Sequence, residues 1–208
     1  MTIACVLKSG GDFDRRWAEA LRAGMDEYAP RHTFACLTDT PSKEYDIPLT
    51  HGWPKWWAKL ELFRPGLFSG KVFYCDLDTL PVGDLGQISS YDGPLAMLND
   101  FYRPARAQSG VMIFTPSRAD DIWNAWMQSP ADNMRRYRGD GEWLHAHTEP
   151  DRLQDLFPGQ IVSLKAHCNP RKANSKPPKD ARLLCGHGRP RFSDPRARWA
   201  HEMWRERI

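Results

Sequence analysis

The sequence predicts an α/β fold, a single domain with a mostly parallel central sheet and helices on both faces. The chain opens in the order strand, glycine turn, helix, strand, which is the order of a βαβ unit. A third predicted strand, KVFYCDLD (71–78), begins with an unbroken apolar run, as expected for a strand buried on both faces. The length of 208 residues suits one domain with a substantial core.

The first elements are justified by their apolar spacing. TIACVLK (2–8) is rich in strand formers and is followed by the turn SGGD. From Asp12 the pattern becomes helical and ends at Pro30. Its apolar residues, spaced three or four apart, are Phe13, Trp17, Leu21, Met25 and Tyr28. HTFACLTD (32–39) reads as the second strand.

Later elements follow the same reasoning. Within 51–68, Pro54 fits the first turn of a helix that Pro65 and Gly66 end. Residues 169–180 form a predicted mobile loop. Further predicted strands lie at 94–98, 109–116, 160–164 and 181–187. Further predicted helices lie at 117–129, with Ser117 as N-cap, and at 139–157, broken at Pro150.

Composition narrows the class of protein. Hydrophobic residues make up 41% and charged residues 26%, as in soluble globular proteins. No apolar run approaches the roughly 18 residues of a membrane span. The N-terminus lacks the basic lead-in of a signal peptide, so we expect a cytoplasmic protein. The five cysteines include no C-x-x-C pair and show no disulfide or zinc-knuckle spacing. Cys5, Cys36, Cys75 and Cys185 lie in or beside apolar runs, as expected of buried reduced thiols.

Charge is uneven along the chain although the net charge is only +3. Between Lys165 and Arg207, Lys and Arg clearly outnumber Asp and Glu. This basic, proline-rich tail suits contact with a diphosphate or a nucleic-acid backbone, and it also suits a solvated surface.

Asp76 and Asp78 follow the third apolar strand with one residue between them. Alternation in an extended chain would turn both carboxylates to one side and Leu77 into the core. Two close carboxylates repel each other unless a cation neutralises them. Mg²⁺ or Mn²⁺ is therefore one interpretation, and ordinary turn residues are the other.

A second segment, LLCGHGRPRF (183–192), ends an apolar run in His187 between two glycines. An imidazole added to two carboxylates favours Mn²⁺. Arg189 and Arg191 are suitable partners for a diphosphate. A turn histidine and a solvated tail are the alternatives.

These segments together resemble the glycosyltransferases of the GT-A (Rossmann-like) fold, especially the glycogenin-like family 8 and its short bacterial and phage relatives. VFYCDLDTLPVGDL (72–85) resembles their metal-binding D-x-D segment. WWAKLELF (56–63), LND (98–100), QSGVMIF (108–114), YRGDGEWL (137–144) and CGHGRPRF (185–192) are similar to further segments, in the family's order. CVLKSG and CLTD match the first two strands.

The resemblance implies a role for particular residues. The metal ligands would be Asp76, Asp78 and His187, and the acidic residues at the reacting sugar would be Asp100 and Asp140. The donor-binding residues would be Leu7, Lys8, Ser9, Thr38, Asp39, Lys59, Leu77, Gln108, Ser109, Gly110, Gly188, Arg189 and Arg191. Of the two arginines, we favour Arg191 as the phosphate ligand. Residues 1–80 would form the nucleotide-binding half and 81–208 the acceptor-side half with its closing basic tail.

The implied activity is Mn²⁺- or Mg²⁺-dependent sugar transfer from a nucleotide sugar, a UDP-sugar by resemblance, with retention at the anomeric carbon. The acceptor stays open among a glycan, a lipopolysaccharide, a protein and modified DNA. Gln108 stands where the family has Asn, and Gly141 where it has Gln. One alternative is a sugar-phosphate nucleotidyltransferase, whose glycine-rich basic loop after the first strand Lys8 to Gly11 resembles only weakly. The other is a nucleic-acid-binding protein, which includes a phage-type DNA-modifying glycosyltransferase.

Overall fold

The computed structural model describes residues 1–168 and 176–208, and these residues form ten strands. In chain order they are β1 (Thr2–Leu7), β2 (Thr33–Thr38), β3 (Asp46–Pro48), β4 (Val72–Cys75), β5 (Thr79–Pro81), β6 (Leu95–Asn99), β7 (Ala107–Phe114), β8 (Asp151–Arg152), β9 (Ile161–Ser163) and β10 (Leu183–Cys185). Part of the predicted loop 169–180, residues 169–175, lies outside the described residues.

The central sheet has seven strands in the order β3-β2-β1-β4-β7-β6-β8. β1 pairs in parallel with both β2 and β4. β7 runs antiparallel to its neighbours β4 and β6. Six of the seven strands therefore share one direction, and the mostly parallel sheet predicted from the sequence is confirmed.

Helices cover both faces of this sheet. The α-helices are α1 (Arg15–Tyr28), α2 (Gly86–Ser89), α3 (Pro116–Met127), α4 (Pro130–Arg136), α5 (Asp140–His147), α6 (Leu153–Leu156) and α7 (Trp199–Arg205), and two 3₁₀ helices span Lys55–Phe63 and Pro195–Ala197. One apolar cluster joins α1, α7 and the β4, β9 and β10 strands. A second, on the opposite face, joins the Lys55–Phe63 helix, α3 and α5.

Several helix boundaries differ from the prediction. α1 begins at Arg15 because the side chain of Asp14 accepts a hydrogen bond from Arg16 N. Thr115, rather than Ser117, caps α3. Pro54 precedes the Lys55–Phe63 helix instead of lying in its first turn. The stretch 139–157 holds α5 and α6 with the short strand β8 between them, and α4 was missed.

The structure also contains a second, smaller sheet, which the sequence did not predict as a separate unit. It has three strands in the order β5-β10-β9, with β10 antiparallel to β5 and parallel to β9. The predicted late strands 160–164 and 181–187 therefore pair with each other and with β5, which directly follows Asp78. This small sheet carries the closing part of the chain back to the end of β4.

The five cysteines, all among the described residues, are buried free thiols, as predicted for Cys5, Cys36, Cys75 and Cys185.

Across the described residues, no helix combines the length and apolarity needed to cross a membrane.

Candidate active site

A tight turn joins the two sheets and carries both aspartates. β4 ends at Cys75, earlier than predicted, and Asp76 to Asp78 connect it to β5. Strand alternation is therefore not what aligns the carboxylates. Asp76 N donates to Gly110 O of β7 (2.7 Å), and Leu77 is buried in the core. The turn directs both carboxylates into the same cleft while Leu77 anchors it.

The cleft lies where β4 ends and the small sheet begins. Its lining residues come from the turn and the start of β5, from β6 and the loop after it, from β7, and from the end of β10 and the segment after it. They are Asp76, Asp78, Thr79, Leu98, Phe101, Gln108, Gly110, Cys185, Gly186 and His187. The structure thus brings together the three residues that the resemblance implies as metal ligands. It also brings in Gln108 and Gly110, two of the implied donor-binding residues.

His187 reaches the cleft through β-sheet pairing. Cys185 lies opposite Thr79, and Gly186 N donates to Asp78 O at 2.6 Å. A Cβ on Gly186 would stand 3.1 Å from Asp78 O, a tight contact, so this close approach favours glycine. The pairing of β10 with β5 thus brings His187 close to Asp78, although more than a hundred residues separate the two in the chain.

The imidazole of His187 is held from two sides. Its Nε2 shares a 2.6 Å hydrogen bond with Ser163 Oγ, and its ring stacks on Phe101 with centroids 5.7 Å apart. Burial and the nearby charge of Lys165 lower the pKa of His187. The neutral imidazole, the form that binds metals, is therefore favoured.

Lys59 links the turn to α5. Its Nζ lies 2.8 Å from Asp76 Oδ1 and 3.1 Å from Asp140 Oδ2, and it is almost fully buried. Ser109 Oγ donates to Asp140 Oδ2 at 2.6 Å. Burial alone would lower the pKa of Lys59, but the charges of Asp140 and Asp76 outweigh it and raise that pKa. The lysine is therefore a fixed cation between two carboxylates.

Arg191 is the cation that pairs with the second aspartate, Asp78. Its guanidinium donates to Asp78 Oδ2 at 2.6 Å and to Asp12 Oδ2 at 3.2 Å, and it lies 4.6 Å over the ring of Phe13. Burial and the charge of Asp76 raise the pKa of Asp78 to about 7, although Arg191 opposes the shift. A buried carboxylate with a neighbouring like charge is stabilised by any cation placed beside it.

Within the described part of the chain, no three His, Cys, Asp or Glu side chains already form a metal cluster. Instead Asp76 pairs with Lys59, and Asp78 with Arg191. The donor chemistry nevertheless suits Mn²⁺ or Mg²⁺, because two carboxylates and a neutral imidazole line one cleft and the Asp78 carboxylate is buried beside a like charge.

The residues implied to bracket a nucleotide lie together at the ends of β1 and β2. Leu7 and Thr38 are opposite each other in the paired strands. Just beyond them, Asp39 pairs with Lys8 and accepts from Ser9 N at 2.9 Å. These contacts outweigh burial and lower the pKa of Asp39, so it stays ionised. The residues that the resemblance implies as donor-binding at this edge therefore lie together. Their role in binding the nucleotide base remains a prediction.

The implied sugar-side residues are more scattered. Asp140 is buried on Lys59, but Asp100 Oδ1 accepts from Tyr102 N and Arg103 N and so closes a turn. Gln108 Oε1 accepts from Gly110 N at 2.8 Å, a contact within its own strand. Asp140 and Ser109 are thus joined to the turn through Lys59, whereas Asp100 is not among the residues that line the cleft.

The closing arginines differ in placement. The Arg191 side chain is 19% exposed and bonds Asp78, which lines the cleft, whereas the Arg189 side chain is 69% exposed and stands 3.7 Å from Asp12. Gly188 adopts φ +65°, a conformation that favours glycine. Arg191 is thus the arginine that bonds the aspartate turn, and its role as a phosphate ligand stays a prediction.

Three contributors escaped the sequence reasoning. The Tyr74 hydroxyl donates to Asp76 Oδ1, Asp12 holds Arg191, and Ser163 bonds His187. Tyr74 lies two residues before Asp76, so the spacing carried a usable signal. Asp12 and Ser163 had none, because tertiary pairing alone brings them to the site.

Comparison with known proteins places the fold. Neither a family model nor a curated protein matches the chain. Among solved structures, the glycosyltransferase GlyE of Streptococcus pneumoniae TIGR4 matches with TM-score 0.75 and 13% identity over 100% of this chain. The chain spans 60% of the GlyE chain.

LgtC gives a second comparison. An active-site mutant of LgtC matches with TM-score 0.66 and 13% identity, over 99% of this chain and 94% of that one. The galactosyltransferase LgtC in complex with donor and acceptor sugar analogs matches with TM-score 0.57 and 14% identity over 100% of both chains. The narrower assignment to the glycogenin-like family 8 stays a prediction. The predicted single α/β domain is confirmed, and its fold is that of these glycosyltransferase structures.

Proposed function

We propose that the chain is a metal-dependent glycosyltransferase that takes a sugar from a nucleotide sugar, and that the donor is a UDP-sugar. The observation that carries the proposal is the cleft at the end of β4, where Asp76, Asp78 and His187 meet with Lys59 and Arg191 beside them. The fold of known glycosyltransferase structures supports it.

The chemical demand is departure of a nucleoside diphosphate, whose oxygens gain negative charge as the glycosidic bond breaks. Mn²⁺ or Mg²⁺ held by Asp76, Asp78 and His187 would supply a Lewis acid for those oxygens. Arg191 would exchange its bond to Asp78 for one to phosphate, since its guanidinium forms paired hydrogen bonds with either group. Fixed cations in a cleft stabilise such charge without reorganising during reaction.

The sugar would lie towards α5. Asp140, oriented by Ser109 and Lys59, would accept hydrogen bonds from its hydroxyls, and Asp100 is the second candidate for that role. We assign no protein nucleophile. With retention, the acceptor hydroxyl would attack the face that the diphosphate leaves, and its proton would pass to the departing phosphate oxygen.

The nucleotide base would occupy the cluster at the ends of β1 and β2. Lys8, Ser9 and Asp39 offer polar groups there, beside Leu7 and Thr38. This location obeys the rule that ligands of mostly parallel sheets bind beyond the carboxyl ends of the strands.

The two alternatives are less favoured. A nucleotidyltransferase would use the same carboxylates, but the solved structures described above are glycosyltransferases. In a purely nucleic-acid-binding protein, the contacts of the buried Lys59 with Asp76 and Asp140 would have only a structural role.

A thermal-shift screen tests the proposal. UDP-, GDP-, ADP- and CMP-sugars are added with Mn²⁺. A ligand that binds only the folded state increases the free energy of unfolding, by about 2.7 kcal/mol at a hundredfold excess over Kd, and therefore raises Tm. We expect a shift with at least one UDP-sugar that disappears in EDTA. Absence of any shift with every nucleotide sugar would remove the donor site from the account.

A further inference from the structure

Both carboxylates of the turn after β4 have cationic partners from the chain itself. Lys59 Nζ lies 2.8 Å from Asp76 Oδ1, and Arg191 Nη1 lies 2.6 Å from Asp78 Oδ2. A metal ion held by the same carboxylates would lie next to a like charge at each of them, which disfavours its binding. The two ion pairs therefore compete with Mn²⁺ or Mg²⁺ for the turn.

Lys59 is held too firmly to give up its position. Besides Asp76, its Nζ contacts Asp140 Oδ2 at 3.1 Å and donates to Ser109 Oγ at 3.2 Å, and the side chain is buried. Moving Lys59 away would leave the buried Asp140 without its cation, which is costly. Lys59 is therefore a permanent part of the site.

Arg191 is held less completely. Its second partner, Asp12, has a side chain that is 53% exposed and lies 3.2 Å from Arg191 Nη2. Among the described residues, the buried Nε of Arg191 has no hydrogen-bond partner. An unpaired buried N–H costs free energy, so a rearrangement that pairs it is favoured. The guanidinium can therefore exchange Asp78 for an anion that offers several oxygens.

On the basis of the proposed function, we propose that Arg191 acts as a latch on the metal site: its pair with Asp78 keeps the affinity for Mn²⁺ or Mg²⁺ low until a nucleoside diphosphate binds the guanidinium. A diphosphate offers the paired oxygens that a guanidinium recognises. Without Arg191, Asp78 is a buried carboxylate close to Asp76 and requires another cation. Metal and donor therefore bind cooperatively, and each tightens the other by the same factor.

The first half of the test measures the metal alone. Mn²⁺ is titrated at pH 8 without nucleotide, with the EPR signal of the free ion as readout. Arg191→Met is expected to bind Mn²⁺ about tenfold more tightly than the unsubstituted protein, the size of one charge-assisted hydrogen bond, because Asp78 loses its competing partner. Arg191→Lys keeps the positive charge and should stay within about threefold of the unsubstituted protein.

Arg196→Met is the matched control. It removes an arginine from an aspartate, Asp194, that is not among the residues lining the cleft, so Mn²⁺ affinity should stay unchanged. Circular dichroism establishes that the variants are compared at equal folded fraction.

The second half measures UDP by calorimetry in saturating Mn²⁺, where the effect reverses. Arg191→Met should weaken UDP binding by about tenfold, because the phosphates lose the guanidinium. Tighter Mn²⁺ together with weaker UDP supports the latch. Unchanged or weaker Mn²⁺ binding by Arg191→Met overturns it, since a residue that only binds phosphate or only supports the fold gives those results.

Undiminished UDP affinity in Arg191→Met also overturns the latch, because the diphosphate would then not engage this arginine. Failure of the proposed function is read separately, as no binding of any nucleotide sugar to the unsubstituted protein.

Discussion

Single residues set the charge balance of the cleft. Lys59 is buried between Asp76 and Asp140, and Arg191 lies between Asp78 and Asp12. Each cation joins segments far apart in the chain. The resemblance implied Lys59 as a donor-binding residue and Arg191 as a phosphate ligand, but the sequence could not show that each is held by carboxylates, since those contacts depend on tertiary packing.

Replacing Lys59 tests this balance. In Lys59→Met, Asp140 keeps only 6% exposure and loses its cation, so we expect unfolding free energy to fall by about 3–5 kcal/mol, the cost of an uncompensated buried charge. Urea denaturation at pH 7 measures the effect. The double variant Lys59→Met/Asp140→Asn should recover much of the loss, and an equally unstable double variant would contradict the charge explanation.

Asp46 gives the pH prediction. Burial alone would raise its pKa, but hydrogen bonds from the Ser42 and Lys43 amides and from Arg15 outweigh burial and lower it. Because the folded pKa lies below the unfolded one, this stabilisation is present above pH about 4 and is lost as the pH falls through the folded pKa.

We therefore expect Asp46→Asn to cost about 1–3 kcal/mol at pH 7, since the side chain is 1% exposed and its donors would be left without a charged acceptor. The difference from the unsubstituted protein should shrink below pH 4. Urea denaturation at pH 7, 5 and 3 measures it, with the exposed Asp121→Asn as control. A constant difference at all three values would exclude the linkage.

At the scale of elements, the hydrophobic period predicted the longer strands and the α1, α3, α5 and Lys55–Phe63 helices but not α2, α4 or α7, and local hydrogen bonds decided the boundaries. β1, β2, β4 and α1 follow their apolar patterns closely. The missed details are cap choices and short strands such as β5 and β8, which have too few residues to show a period.

The cap of α3 can be tested directly. Thr115 Oγ1 accepts from Arg118 N at 3.4 Å, whereas Ser117, the residue predicted from the sequence, is an exposed residue within the helix. Thr115→Ala should lower the free energy of unfolding by about 1 kcal/mol, and Ser117→Ala should be close to neutral. Thermal denaturation of both variants decides between them, and the reverse order of effects would restore Ser117 as the cap.

At the scale of the whole molecule, the site depends on how the two sheets meet. α1 contacts β5, and β5 pairs with β10, which delivers His187 to the turn after β4. The βαβ opening allowed the central sheet to be predicted. The small sheet could not be predicted, because β5 lies about a hundred residues before its partner β10 and their pairing leaves no trace in local spacing.

Gly24 tests the junction of α1 with β5. Alanine would improve helix propensity by about 1 kcal/mol, but its Cβ would stand 2.9 Å from Pro81 Cδ. Overpacking of this kind typically costs about 1–3 kcal/mol, so Gly24→Ala should be destabilising on balance. Urea denaturation measures the net effect, and a gain in stability would show that the junction has room to adjust.

The central claim is that the Asp76–Asp78 turn holds a metal that assists departure of a nucleoside diphosphate. The direct measurement is Mn²⁺-dependent release of UDP from the UDP-sugar that binds, compared between the unsubstituted protein and Asp78→Ala at equal folded fraction. We predict that release falls by about 100-fold or more in Asp78→Ala and in EDTA, the scale of losing a principal electrostatic stabiliser. Undiminished UDP release by Asp78→Ala in EDTA would contradict the claim.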